Sequence, residues 1–95
     1  MTREEARAAV LERAHRRCVG ISDIVIDDAH TMEKPYGWIF YYTTRRYLES
    51  GDPMYMLFGN GPVVVIAATG EIVELGSARP PEEFIKELED ELHLL

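Results

Sequence analysis

Hydrophobic and polar positions alternate at two different periods along this chain. Ala6, Val10, Ala14 and Cys18 recur every four residues behind Thr2-Arg3-Glu4-Glu5, where Thr2 can serve the N3 amide and Glu5 can reach back to the Thr2 amide as a capping box. The spacing predicts a first helix over about residues 3–18, ended near Gly20, with a small-residue stripe buried and Arg7, Arg13, Arg16 and Arg17 on the wet side. Ile24 and Ile26 then alternate with Asp23, Val25 and Asp27 at the period of a half-buried strand, and the polar run from Asp28 to Pro35 reads as a connection. Gly37 to Thr44 is the strongest strand signal, dense in aromatic and β-branched residues, and predicts a single central strand. Arg45 to Glu49 suits a helical turn, Ser50-Gly51-Asp52-Pro53 is a turn cluster, and Met54 to Phe58 is an apolar patch within a long connection. Pro62 to Ala68 and Glu71 to Leu75 flank Thr69-Gly70 and read as a hairpin. Pro81 in a first turn, followed by Phe84, Ile85, Leu88, Leu92 and Leu95, marks a closing helix.

These elements predict a two-layer α+β fold: an N-terminal helix, an antiparallel sheet of about four strands and a C-terminal helix. Residues 1–95 read as a single domain, since a chain this short must share one core among all its elements. The open sheet edges could pair two copies into a homodimer. The apolar share of 46% and charged share of 28% are those of a folding chain. No run of about 18 apolar residues is available to span a bilayer, the N-terminus has no signal-like apolar segment, and the one cysteine fits a reducing compartment. The expectation is a cytoplasmic protein.

Charge narrows the partner. Ten Lys and Arg against seventeen Asp and Glu leave a formal net charge of −7, which repels nucleic-acid phosphates. The distribution is uneven: residues 1–20 hold five Arg and three Glu, whereas residues 80–95 hold six acids and one Lys, so the two ends would complement each other if packed together.

No catalytic or metal-binding constellation stands out. Cys18 and His15 lie three apart on one helix without a third orienting group. His30 and His93 show no metal-ligand spacing, and His30 beside Asp27 and Asp28 reads as a solvated loop cluster. Neither a catalytic residue nor a cofactor is expected. Gly59-Asn60-Gly61-Pro62 lacks the Lys-Ser/Thr of a phosphate loop and reads as a turn in which Asn60 tolerates positive φ and Pro62 sets the entry of a strand. The mixture of Tyr, Trp and Arg matches the composition of protein–protein hot spots, which makes Trp38, Tyr41, Arg46, Tyr47, Tyr55, Phe58 and Asn60 partner-binding candidates. For Trp38 a place in the core is the stronger reading, with Phe40 beside it and Ile39 and Tyr41 packing on the other face.

Several segments together resemble a known family. Gly37-Trp38-Ile39-Phe40, Leu48-Glu49-Ser50-Gly51-Asp52, Gly59-Asn60-Gly61-Pro62-Val63-Val64-Val65, Thr69-Gly70-Glu71 and Gly76-Ser77-Ala78-Arg79-Pro80-Pro81-Glu82-Glu83-Phe84-Ile85 occur in the order of the YrhB-like, immunity protein 35 family. The resemblance implies a bacterial α+β immunity protein that binds and neutralises a cognate toxin, and it makes Gly59, Asn60, Pro62, Gly70, Gly76, Arg79 and Pro80 the structural motif residues. It also brings in a small-chaperone role, described for a YrhB member, to which the Met54-to-Phe58 patch would lend itself. A protease-inhibitor-like binding module is the remaining alternative, on fold analogy alone.

Overall fold

The computed structural model describes residues 1–95. Helix α1 (Arg3–Arg17) begins as its sequence dictates: the Thr2 hydroxyl accepts from the Glu5 N–H at 3.1 Å, and the Glu5 carboxylate accepts from the Thr2 N–H at 2.8 Å. Two of the amides a helix start leaves unpaired are thereby satisfied. Strands follow at β1 (Ile24–Ile26), β2 (Met32–Lys34), β3 (Gly37–Phe40) and β4 (Tyr42–Thr44), then helix α2 (Arg45–Ser50), strands β5 (Val63–Ile66) and β6 (Ile72–Glu74), and helix α3 (Pro81–Glu91). One antiparallel sheet has the order β2-β3-β5-β6, and β1 pairs with β4 in a two-stranded ribbon. The α+β class and the helix–strands–helix order are as the pattern predicts.

Three details differ from that reading, each for a physical reason. The polar run after Asp27 contains a 3₁₀ turn, Asp28–His30, and strand β2, because Met32 and Lys34 pair with Ile39 and Gly37. An edge strand needs no buried face, so its polar sequence hid it. The long strand signal from Gly37 to Thr44 is divided at Tyr41. Val63 pairs with Phe40, and the next residue along β5's register is Pro62, which has no N–H to extend the ladder. On the other flank, the ladder runs from Ile26 opposite Tyr42 to Met32 opposite Ile39, so Asp27 to Thr31 face only Phe40 and Tyr41. The segment 37–44 is therefore two strands in separate sheets, and the five residues Asp27 to Thr31 form a bulge opposite the break between them.

The third difference is the number of layers. Every residue of β3 and β5 is buried, and successive side chains point to opposite faces. Trp38, Phe40, Val63 and Val65 pack with Ala6, Val10 and Ala14 of α1 and with Ile24, Ile26 and Tyr42. Ile39 and Val64 pack beneath Ile85 and Leu88 of α3. The helices thus cover opposite faces and give three layers instead of two. The basic face of α1 accordingly does not meet the acids of α3; Arg7 pairs with Asp28, and Arg13 and Arg17 with Glu74. Helix α3 is instead pinned by Glu89, whose carboxylate accepts from the Tyr36 hydroxyl at 2.7 Å and lies 3.3 Å from Lys34 Nζ. Burial, with Glu89 adding to it, holds the Tyr36 phenol far above its ordinary pKa.

Candidate functional site

The bulge opposite Tyr41 has a consequence on the surface. Asp27, Ala29, His30, Thr31 and Met32 stand on one side, Pro81, Glu82 and Ile85 of α3 on the other, and Tyr41 and Tyr47 complete the lining of a groove of about 690 Å³. That volume falls in the range of ordinary ligand clefts, roughly 300–1,000 Å³. The turn keeps its shape through local bonds. The Asp27 N–H donates to the Tyr41 carbonyl at 2.8 Å, the Thr31 hydroxyl donates to the Asp27 carbonyl at 3.2 Å, and His30 Nδ1 is 2.8 Å from Asp27 Oδ2. Tyr41 is half-buried between the groove and the α3-side core. Burial first, and the nearby Glu82 charge second, raise its phenol pKa.

Helix α2 carries the site onward. The Thr44 hydroxyl caps it, accepting from the Tyr47 N–H at 3.1 Å while donating to the Tyr55 carbonyl at 2.6 Å, so one buried side chain ties α2 to the Pro53–Tyr55 turn. Tyr47 faces the groove. Arg46 lies over the Tyr55 ring at 4.9 Å from its centroid and also pairs with Asp23 at 3.1 Å. Beyond them Met54 and Phe58 are 79% and 81% exposed.

The interface candidates are thus divided. Tyr41 and Tyr47 meet in the groove, Arg46 and Tyr55 form a stacked pair, and Phe58 stands in solvent. Trp38 is only 8% exposed and belongs to the α1-side core, where its Nε1 has no hydrogen-bond partner; it offers no surface anchor. Asn60 does not adopt positive φ. Gly59 takes that role at φ 80°, and Asn60 uses its amide to donate to the Tyr42 carbonyl at 2.9 Å, holding the loop against β4. The Gly59 carbonyl in turn accepts from Arg17 at 2.8 Å. Pro62 is fully buried, and Gly70 makes the hairpin turn at φ 76°. Gly76 lies under the Phe84 ring, and Arg79 stacks on the same ring at 4.5 Å while forming a two-pronged pair with Glu87; Pro80 precedes α3 as its cap residue. His15, Cys18 and His93 have no side-chain partner, and no three His, Cys, Asp or Glu side chains gather as a metal site.

The wall residues Thr31, Met32, Pro81, Glu82 and Ile85 escaped the sequence reading. They come from segments some fifty residues apart, and the available signal was the Asp27–His30 spacing, which read as surface charge.

The family model described as Immunity protein 35 matches residues 4–87. The chain belongs to the immunity protein 35 family. Among relatives, "Uncharacterized protein YrhB" of Escherichia coli (strain K12) is 42% identical over 53 residues, and the match covers 56% of this chain and 56% of that protein. The matched region thus spans little more than half the length of that relative. No solved structure matches the chain. For this immunity protein 35 member, all the elements that build the groove except the last turn of α3 lie inside the family match.

Proposed function

We propose that this protein binds a cognate bacterial toxin in the cytoplasm of the producing cell and neutralises it by masking its active surface, with no turnover of its own. The observation that carries this reading is the family match over residues 4–87. The surface supports it. A groove lined by Tyr41 and Tyr47, with the stacked Arg46–Tyr55 pair next to Tyr47 in the chain, supplies the aromatic and arginine groups that anchor protein interfaces. The net charge of −7 would speed capture of a basic partner.

Co-expression with the protein encoded beside it tests the proposal. Survival of cells that otherwise die, together with a stoichiometric complex on copurification, is expected. Continued death with both proteins folded would overturn it. Met54 and Phe58, each almost fully exposed on one loop, favour a second reading as a small holdase. That reading predicts suppression of the aggregation of unrelated clients, lost in Met54→Ser/Phe58→Ser, without effect on the cognate complex.

A further inference from the structure

The groove joins a free carboxylate to free phenols. Several carboxylates of the surface are engaged, Asp23 by Arg46, Asp28 by Arg7, Glu74 by Arg13, Glu87 by Arg79 and Glu89 by Lys34 and Tyr36, and others such as Glu91 are free but have no cleft beside them. In the groove, Glu82 has no cation within 4 Å and accepts no side-chain hydrogen bond, and the hydroxyls of Tyr41 and Tyr47 have no partner. The only basic group in the lining is His30, which is tied to Asp27. The cleft therefore presents two carboxylates, two phenols and an apolar floor at Met32 and Ile85.

We propose that this groove receives an arginine side chain from a basic segment of the bound partner, with its guanidinium against Glu82 and the rings of Tyr41 and Tyr47. The proposal rests on the toxin-binding reading and names the chemistry that the groove selects. A guanidinium offers five donors and no acceptor, so it complements a carboxylate and two hydroxyls that lack donors. Its flat face also stacks on phenol rings, and its methylene stem covers apolar surface. An anionic occupant is disfavoured even though the start of α3 faces the groove, because Glu82 and Glu83 fill the first turn and offset the partial positive charge there. Glu82 and Tyr41 line the same groove, so one occupant can meet both.

Isotope-labelled full-length protein titrated at low salt with an oligoarginine peptide, and separately with an oligoglutamate peptide, provides the test by amide chemical shifts. Oligoarginine is expected to move residues 27–32, Tyr41, Tyr47 and 81–85, and oligoglutamate to move none of them. Glu82→Gln and Tyr47→Ala should each weaken oligoarginine binding about two- to fivefold, the scale of a partly exposed charged contact. Glu91→Gln removes the same charge from the far end of α3 and should leave binding unchanged. Equal weakening by Glu91→Gln and Glu82→Gln, or shifts spread evenly over the acidic surface, would overturn the proposal. Glu82 lies in the first turn of α3 and makes no side-chain bond, so Glu82→Gln is expected to fold and keeps the test decisive should Tyr47→Ala unfold. With the neighbour-encoded protein as partner, undiminished affinity of both variants overturns the arginine site and leaves toxin binding standing. If the unaltered chain binds no such protein, the toxin reading fails, and the peptide shifts still decide the groove.

Discussion

Gly59 and Gly61 stand two residues apart and are needed for different reasons. At Gly59 the backbone is left-handed in open space, so Gly59→Ala should cost about 1 kcal/mol. At Gly61 no such φ is involved, but an added Cβ would collide with the carbonyl oxygens of Leu75 and Gly76. Gly61→Ala should therefore cost more, about 2–3 kcal/mol by urea unfolding, because backbone must shift to make room. Equal losses at the two sites would contradict that contrast. The Gly-rich spacing announced a turn, and a turn is present; that the second glycine serves a close approach by the exit of β6 could not be read from spacing. Asn60 teaches the same point. Its residue type suits positive φ, but a nearby unpaired carbonyl on Tyr42 gave its side chain a better use. Asn60→Ala should cost about 1–2 kcal/mol, since it leaves that half-buried carbonyl without a donor.

Among elements, α1 and α3 were both legible from their periodicity, and α1 from its capping box as well. Thr2→Ala should lower stability by about 1 kcal/mol in a thermal or urea melt. What periodicity could not supply was which face of the sheet each helix would cover. The answer makes them unequal: α1 buries Ala6, Val10 and Ala14 into a ten-residue core cluster, whereas α3 contributes Ile85 and Leu88 to a cluster of four. Helix α3 should accordingly open first. Native-state hydrogen exchange is expected to show weaker protection for amides of α3 than for those of α1, β3 and β5. Equal protection of both helices would show that Glu89, through Lys34 and Tyr36, locks α3 as firmly as the larger core locks α1. The single long strand inferred for 37–44 failed at Tyr41 because Pro62, twenty-one residues away, ends the ladder there.

For the whole molecule, charge bears on stability and, under the proposed toxin binding, on encounter. Asp23, Asp28 and Glu87 are each held below their ordinary values, first by a hydrogen-bonded guanidinium from Arg46, Arg7 and Arg79 respectively. A carboxyl depressed in the folded state contributes stability above its unfolded value and loses that contribution as pH falls through the folded one. The contribution should be complete above the ordinary values of 3.8 for Asp and 4.5 for Glu and fade below them. Arg7→Ala is thus expected to be less stable than the unaltered chain at neutral pH and to converge with it in acid, as pH falls through the lowered folded value of Asp28. A gap that persisted there would mean that Arg7 acts through packing. For the partner complex, raising salt from low to about 0.5 M should slow association by roughly tenfold or more and change dissociation little, as steering by net charge requires. Stopped-flow mixing measures both rates.

By itself the sequence determined the class of fold, the helix cap, the hairpin at Thr69-Gly70, the core position of Trp38 and the acidic character of the surface, because each depends on residues close in the chain or on a sum over all of it. The tertiary structure alone decided the three-layer arrangement, the break between β3 and β4 at Tyr41 and the groove that joins Asp27 and His30 to Tyr47 and Glu82. Those features arise where segments distant in sequence compete for the same hydrogen bonds and the same buried face, and no local period records the outcome of that competition.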